Sequence, residues 1–381
     1  MRYRPLGRTG MMVSEIALGC EHFEGKDYDH IKGVFDEAFA QGINLFDMLN
    51  ASPELRTHFA KAIGGKRDIA VIQGHIGSIL KDGQYAMSND FGQCKAAFED
   101  MLVRLDTDYI DIGMLHFIDT DEDFNTVFNG ELIEYAKELK AKGVIKAIGL
   151  DSHIPGIAKR AVETGLIDVV MFSINPAFDL LPGDIGIDDL FINEKHEAVR
   201  QNHIDPDRMA LYQLCERNGV GITVMKTYMA GQLLNAEQSP FGFALTPVQC
   251  IHYALTRPGV ASAIIGCTTA AEIREAAAYN TASDSEKDFS AVFSKTFTAQ
   301  GKCVYCNHCL PCPARIDIGL VNKYLDLAKT AETIPPTVTA HYNALPNHAG
   351  DCTACGACQT RCPFGVAVME RMQEAKKCFK R

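Results

Sequence analysis

Short apolar runs alternate with amphipathic stretches along the first 295 residues. Eight of these runs read as strands: EIALGC (15–20), NLFDM (44–48), IAVIQG (69–74), YIDIGMLH (109–116), KAIGLD (146–151), DVVMFSIN (168–175), GITVMK (221–226) and ASAIIG (261–266). They are nearly continuous in apolar character, as strands covered on both faces are. Between them, HIKGVFDEAFAQG (30–42), CKAAFEDMLVRL (94–105), ELIEYAKELKAKG (131–143) and DRMALYQLCERNG (207–219) repeat their apolar residues at helical spacing. Pro155 and Pro247 stand where helices begin, and Gly42, Gly143 and Gly219 where they end. Strands each followed by a helix predict an α/β fold, a closed parallel (β/α)8 TIM barrel over 1–295. No GxGxxG follows the first strand, which argues against a doubly wound sheet.

The cysteines predict a second unit at 296–381. Of 14 cysteines, Cys20, Cys94, Cys215, Cys250 and Cys267 are scattered through the barrel region and read as small buried apolar residues. Cys303, Cys306, Cys309 and Cys312 form C-x2-C-x2-C-x2-C, and Cys352, Cys355, Cys358 and Cys362 form C-x2-C-x2-C-x3-C, each run followed by a proline. Thiolates are soft anionic ligands for iron, and in paired runs of this kind the fourth cysteine of each reaches the other cluster. This spacing predicts two [4Fe–4S] clusters in a small α-helical, ferredoxin-like domain. Cys303, Cys306, Cys309 and Cys362 would hold one; Cys352, Cys355, Cys358 and Cys312 the other. Structural zinc is the competing reading, but zinc does not require four evenly spaced cysteines twice over. Cys378, in the basic tail, reads as an exposed thiol.

Barrels of this kind carry their chemistry at the C-terminal ends of the strands. Asp47, His75 and His116 collect there and form the candidate catalytic group, with Ser152, Asn175, Lys226 and the turn Gly266, Cys267, Thr268, Thr269 on the same rim. A single strand-end histidine is usually a satisfied structural residue, but two beside an aspartate can form an acid/base pair near neutral pH. The stretch 180–207 is long enough to cover a substrate, and HEAVRQNH (196–203) reads as solvated polarity.

Charge and composition narrow the partners. With 37 Lys and Arg against 48 Asp and Glu the net charge is −11, which argues against nucleic acid or an anionic membrane surface. Neither a signal peptide nor a transmembrane run is evident, so a cytoplasmic location is expected. The expected partners are a small-molecule substrate and a redox protein; nothing here sets an oligomeric state.

Several segments resemble the aldo/keto reductase superfamily, in the branch with a C-terminal ferredoxin-like domain: YRPLGRTGMMVSEIALGC (3–20), GINLFDM (42–48), LDTDYIDIGMLHFID (105–119), GVIKAIGLDSH (143–153), GVGITVMK (219–226), GVASAIIGCTTAAEI (259–273) and CPARIDI (312–318). The resemblance implies hydride transfer between NAD(P)H and a carbonyl. It implies that Ser152 and Asn175 approach the nicotinamide, that Gly266 to Thr269 cradle phosphate, with Lys226 on the same rim, and that Glu272 lies near the adenosine. The family's Asp and His match Asp47 and His116. Its Tyr is replaced by Ser52, its Lys by His75, its nicotinamide-backing Gln by Met171 and an Asn of the last helix by Ala276. No tyrosine occurs between Tyr28 and Tyr85. An iron–sulfur oxidoreductase passing electrons through the clusters is the expected function. A non-redox lyase or isomerase with structural clusters, and a non-catalytic electron-transfer subunit, are the alternatives.

Overall fold

The chain begins with an antiparallel hairpin, β1 (Tyr3–Pro5) and β2 (Met12–Ser14), in the computed structural model, which describes residues 1–186, 189–192, 201, 203–293 and 301–381. Leu6 and Val13 of this hairpin region join the apolar residues inside the barrel, closing the end where its strands begin. The barrel strands are β3 (Ile16–Gly19), β4 (Leu45–Met48), β5 (Val71–Ile76), β8 (Ile110–Leu115), β9 (Ile145–Ser152), β10 (Val169–Ser173), β11 (Gly221–Met225) and β12 (Val260–Ile265). All are parallel, and β12 pairs back onto β3 to close the sheet. Each predicted strand overlaps one of these to within two residues. A second hairpin, β6 (Ser78–Lys81) and β7 (Gln84–Met87), follows β5 directly and was not anticipated.

Local chemistry sets the helix ends. Asp27 and Asp90 cap the helices Tyr28–Ala40 and Phe91–Arg104 by accepting backbone N–H bonds, and Pro155 and Pro247 occupy first-turn positions. Gly219 takes the left-handed conformation that ends Pro206–Asn218.

The predicted boundary at 295/296 lies outside the described residues. Beyond it, helices Ile318–Lys329, Pro336–Asn343 and Val368–Phe379 pack together and against the barrel. Arg257 Nη2 donates to Val304 O (2.9 Å), Thr337 Oγ1 donates to Glu216 O (2.9 Å), and His341 Nδ1 lies 2.6 Å from Glu216 Oε1. Glu216 and Arg257 stand just ahead of β11 and β12, so the C-terminal unit docks at the end where the strands begin. That is the end opposite the predicted chemistry. A cavity of about 540 Å³ lies in this junction, lined by Arg4, Lys323, His341 and Cys312 among others; the rim residues are not part of it.

Burial works to raise the Glu216 pKa, but the His341 hydrogen bond and the charge of Lys323 outweigh it and hold the carboxyl below its usual range. A depressed carboxylate pKa stabilises the fold above the unfolded value and loses that effect as pH falls through the folded one. Glu216→Gln is therefore expected to destabilise the protein by about 1–3 kcal/mol at pH 7, with the deficit shrinking below about pH 5. Thermal unfolding of both proteins across this range checks it; a deficit independent of pH would contradict the assignment.

Candidate active site and cluster sites

Strand parity builds the rim. Alternate side chains point into the barrel: Leu45 then Asp47 on β4, Val71, Gln73 and His75 on β5, Ile112, Met114 and His116 along β8, Ala147 and Asp151 along β9. The lower positions are mostly apolar and fill the interior. The uppermost layer is Asp47, His75, His116 and Asp151, all buried.

These four form one network. His75 Nε2 lies 2.8 Å from Asp47 Oδ1, which also accepts from Gln73 Nε2 (2.7 Å). Gln73 in turn accepts from Thr223 Oγ1 (3.1 Å) and lies 3.0 Å from Met171 Sδ. The Nδ1 atoms of His75 and His116 face each other at 3.2 Å, and His116 Nδ1 is 2.7 Å from Asp151 Oδ2. Burial opposes charge on His75, but Asp47 and Asp151 outweigh it and hold its pKa above the ordinary imidazole value. Burial likewise works to raise the Asp151 pKa, yet His116 and His75 hold it below the usual carboxylate range.

Tyr85 completes the group and was missed from sequence. Its phenol oxygen lies 2.6 Å from His116 Nε2, and the residue is 38% exposed, placing it at the mouth of the barrel. Burial, then the negative charge of Asp151, Glu21 and Asp47, pushes its pKa above the ordinary phenol value. The signal was present in Asp82–Gly83, a two-residue turn with both φ positive (53° and 78°), which is a strong hairpin marker between extended segments. Gly77, at φ 114°, enters this hairpin against the backbone of His116; a Cβ there would lie 2.5 Å from His116 O. Ser52, at the position of the family's tyrosine, instead caps helix Pro53–Ile63.

The cofactor candidates are engaged within the protein. Ser152 Oγ donates to Asp119 Oδ1 (2.9 Å). Asn175 Oδ1 accepts from the N–H groups of Ala177 and Phe178, and its amide donates to Lys226 O (3.0 Å). Lys226 itself has a positive φ (60°), and its ammonium lies 5.8 Å from the Phe191 ring centre. Gly266 lies against His22, and Cys267 is buried. At the turn that follows, Glu272 Oε2 accepts the N–H groups of Thr268 (2.7 Å) and Thr269 (3.0 Å), so the chain's own carboxylate holds the helix N-terminus assigned to phosphate. Much of the 180–207 stretch, including most of HEAVRQNH, lies outside the described residues; within the rest, Leu180, Leu181 and Leu190 are buried.

The cysteine runs divide as their spacing predicts. Cys303, Cys306, Cys309 and Cys362 line one small cavity; Cys312, Cys352, Cys355 and Cys358 line another. Left-handed residues flank the second cysteine of each run, Tyr305 and Asn307 around Cys306 and Ala354 and Gly356 around Cys355, bending the chain there. The backbone N–H of Ala354 points at Cys352 Sγ (3.4 Å). Burial pushes the Cys303 and Cys306 thiols up to about 12, an environment in which metal must compensate the thiolate charge. Cys306 is buried and Cys355 exposed, so the second set opens to solvent at Cys355. Soft donors in two groups of four fit iron–sulfur clusters.

Sequence comparison matches residues 15–244 to the aldo/keto reductase family and residues 302–367 to a 4Fe-4S dicluster domain. The uncharacterized oxidoreductase YqkF of Bacillus subtilis is 28% identical over 291 residues, covering 72% of this chain and 90% of that protein. A probable aldo-keto reductase of Glycine max is 27% identical over 177 residues, covering 41% of this chain and 46% of that protein. Among solved structures, an aldo-keto reductase from Bacillus halodurans in its holo form superposes with a TM-score of 0.60 at 22% identity, over 77% of this chain and 95% of that one. A putative aldo-keto reductase from Pseudomonas aeruginosa gives 0.55 at 24%, over 73% and 93%. At these identities the structural likeness speaks for the fold.

Proposed function

The chain belongs to the aldo/keto reductase family and carries a 4Fe-4S dicluster domain, and on that premise we propose that it reduces or oxidises a small organic substrate of the carbonyl or alcohol class at the barrel rim. The convergence of Asp47, His75 and His116 with the Tyr85 phenol carries this reading. Tyr85 and His116 handle the proton of the reacting oxygen, while Asp47 and His75 set the charge beside them. The phenol that the family takes from the second barrel strand is thus supplied from a hairpin on the third.

NAD(P)H is the proposed hydride carrier, its phosphate displacing Glu272 from the N–H groups of Thr268 and Thr269. Two [4Fe–4S] clusters, held by the two cysteine sets, supply one-electron chemistry when bound. The contacts of the C-terminal unit with Glu216 and Arg257 set it against the barrel away from the rim network. That placement favours a second version of the reading, in which the clusters exchange electrons with a redox protein at the exposed Cys355 face rather than with the rim.

Anaerobic titration with NADPH and NADH, following cluster absorbance, tests the proposal. Bleaching by either nucleotide is the expected result if rim and clusters are coupled. Nucleotide oxidation by a carbonyl substrate without bleaching supports the second version. If neither nucleotide binds at millimolar concentration, the hydride-transfer reading falls.

A further inference from the structure

The top layer of the barrel has a charge problem. Asp47 and Asp151 are each at most 4% exposed, and among the described residues their ion-pair partners are His75 and His116 alone, with no lysine or arginine. Unpaired buried carboxylates are costly.

The protons do not resolve it. Suppose both imidazoles are neutral. His75 then places its proton on Nε2 for Asp47, and His116 places its own on Nδ1 for Asp151. Two buried carboxylates are left with no cation, and Asp151 Oδ1 is left with no partner at all. Charging His75 instead points two N–H groups at each other across 3.2 Å. Moving the His116 proton to Nε2 turns a lone pair toward Asp151 Oδ2 at 2.7 Å.

We propose that His75 Nδ1, His116 Nδ1 and the Asp151 carboxylate bind a divalent transition-metal ion of the zinc or ferrous class. The three ligand atoms stand 3.2, 2.7 and 3.9 Å apart. Donors about 2.0–2.1 Å from one tetrahedral ion stand about 3.3 Å apart, so the trio brackets the required span. Two imidazoles and one carboxylate are a recurrent ligand set for such metals. The ion neutralises the two carboxylates and takes the lone pairs of both Nδ1 atoms together with one from Asp151 Oδ2. The next shell is already in place. Asp47 accepts from His75 Nε2–H, the carboxylate–histidine arrangement that orients metal-bound imidazoles. With its Nδ1 on the metal, His116 carries its proton on Nε2 and donates to the Tyr85 oxygen, which frees the phenol proton for the substrate.

This site rests on the reading of the rim as the reactive end, but metal retention is measured apart from turnover. Anaerobically purified full-length protein with its clusters intact would be cleared of loose metal with EDTA, supplied with Zn²⁺, desalted and analysed for zinc and iron. One zinc per chain beyond the cluster iron is expected. His116→Ala and Asp151→Asn should retain none at unchanged iron content, and Asp47→Asn should bind about 10- to 100-fold more weakly. Unchanged iron shows that the variants are folded and that zinc is not seated on cluster cysteines. Wild-type protein that retains no zinc, or variants that retain as much as wild type, would overturn the site. Metal that binds to a protein without turnover leaves this site standing and removes the functional reading instead.

Discussion

Tyr85→Phe is expected to lower turnover by about 10²- to 10⁴-fold, the usual effect of removing a proton-transfer group, while leaving fold and cluster content intact. At 1.36 kcal/mol per tenfold, that is about 2.7–5.4 kcal/mol of transition-state stabilisation. The change keeps the ring and deletes one oxygen, the atom 2.6 Å from His116 Nε2. Tyr85 is 38% exposed on a two-stranded hairpin, so little apolar packing is disturbed. Ser52→Ala is the informative contrast. That residue stands where the family's tyrosine stands, yet its side chain accepts from Leu55 N at a helix start. Losing the cap should lower stability by about 1 kcal/mol and leave the rate alone. Steady-state kinetics on both variants, with a carbonyl compound the wild type reduces, separates the two roles. Wild-type turnover in Tyr85→Phe would end the assignment of the phenol.

Cys312→Ala is expected to empty the cluster site built by the later cysteine run and to spare the nearer one. Cys312 follows Cys303, Cys306 and Cys309 in sequence but lines the cavity of Cys352, Cys355 and Cys358, while Cys362 lines the cavity of the first three. With four irons per cluster, iron should fall from about eight to about four per chain. Cys362→Ala should give the same iron loss from the other site. The buried position of Cys306 and the exposed position of Cys355 predict different accessibility of the surviving cluster to soluble oxidants. Iron analysis with electron paramagnetic resonance on both variants checks the assignment. Loss of the Cys303, Cys306 and Cys309 site in Cys312→Ala would show that the ligands do not cross.

Much of this was open to reading because the determining interactions are local. Apolar runs such as 110–115 and 260–265 declare strands buried on both faces, and the helices between them leave a closed barrel as the arrangement that covers all eight. Three of each four cysteine ligands are local too, since three-residue spacing lets those thiols wrap one cluster, while the fourth comes from the other run. Asp47, His75 and His116 could be placed on one rim because each lies at the C-terminal end of a parallel strand.

Other features depend on which face a residue presents and on segments far apart in the chain. Asp151, not its neighbour Ser152, enters the barrel, because parity along β9 carries Ala147 and Asp151 inward while Ser152 turns to Asp119. A one-residue ambiguity at a strand end exchanges the two, and closure of the barrel removes it. Tyr85 lies 31 residues from His116, and no periodic pattern marks that distance; the two meet because the hairpin folds back over the mouth. That Glu272 folds back to cap the helix N-terminus assigned to phosphate is a local side-chain choice that composition does not express. The sequence by itself thus determined the barrel, the two cysteine runs and the end of the barrel that carries the polar residues, since each follows from short-range spacing. Tertiary structure alone decided that the dicluster domain docks at the opposite end, and that a hairpin phenol and an inward aspartate join the candidate site, because those outcomes rest on long-range contacts that only packing selects.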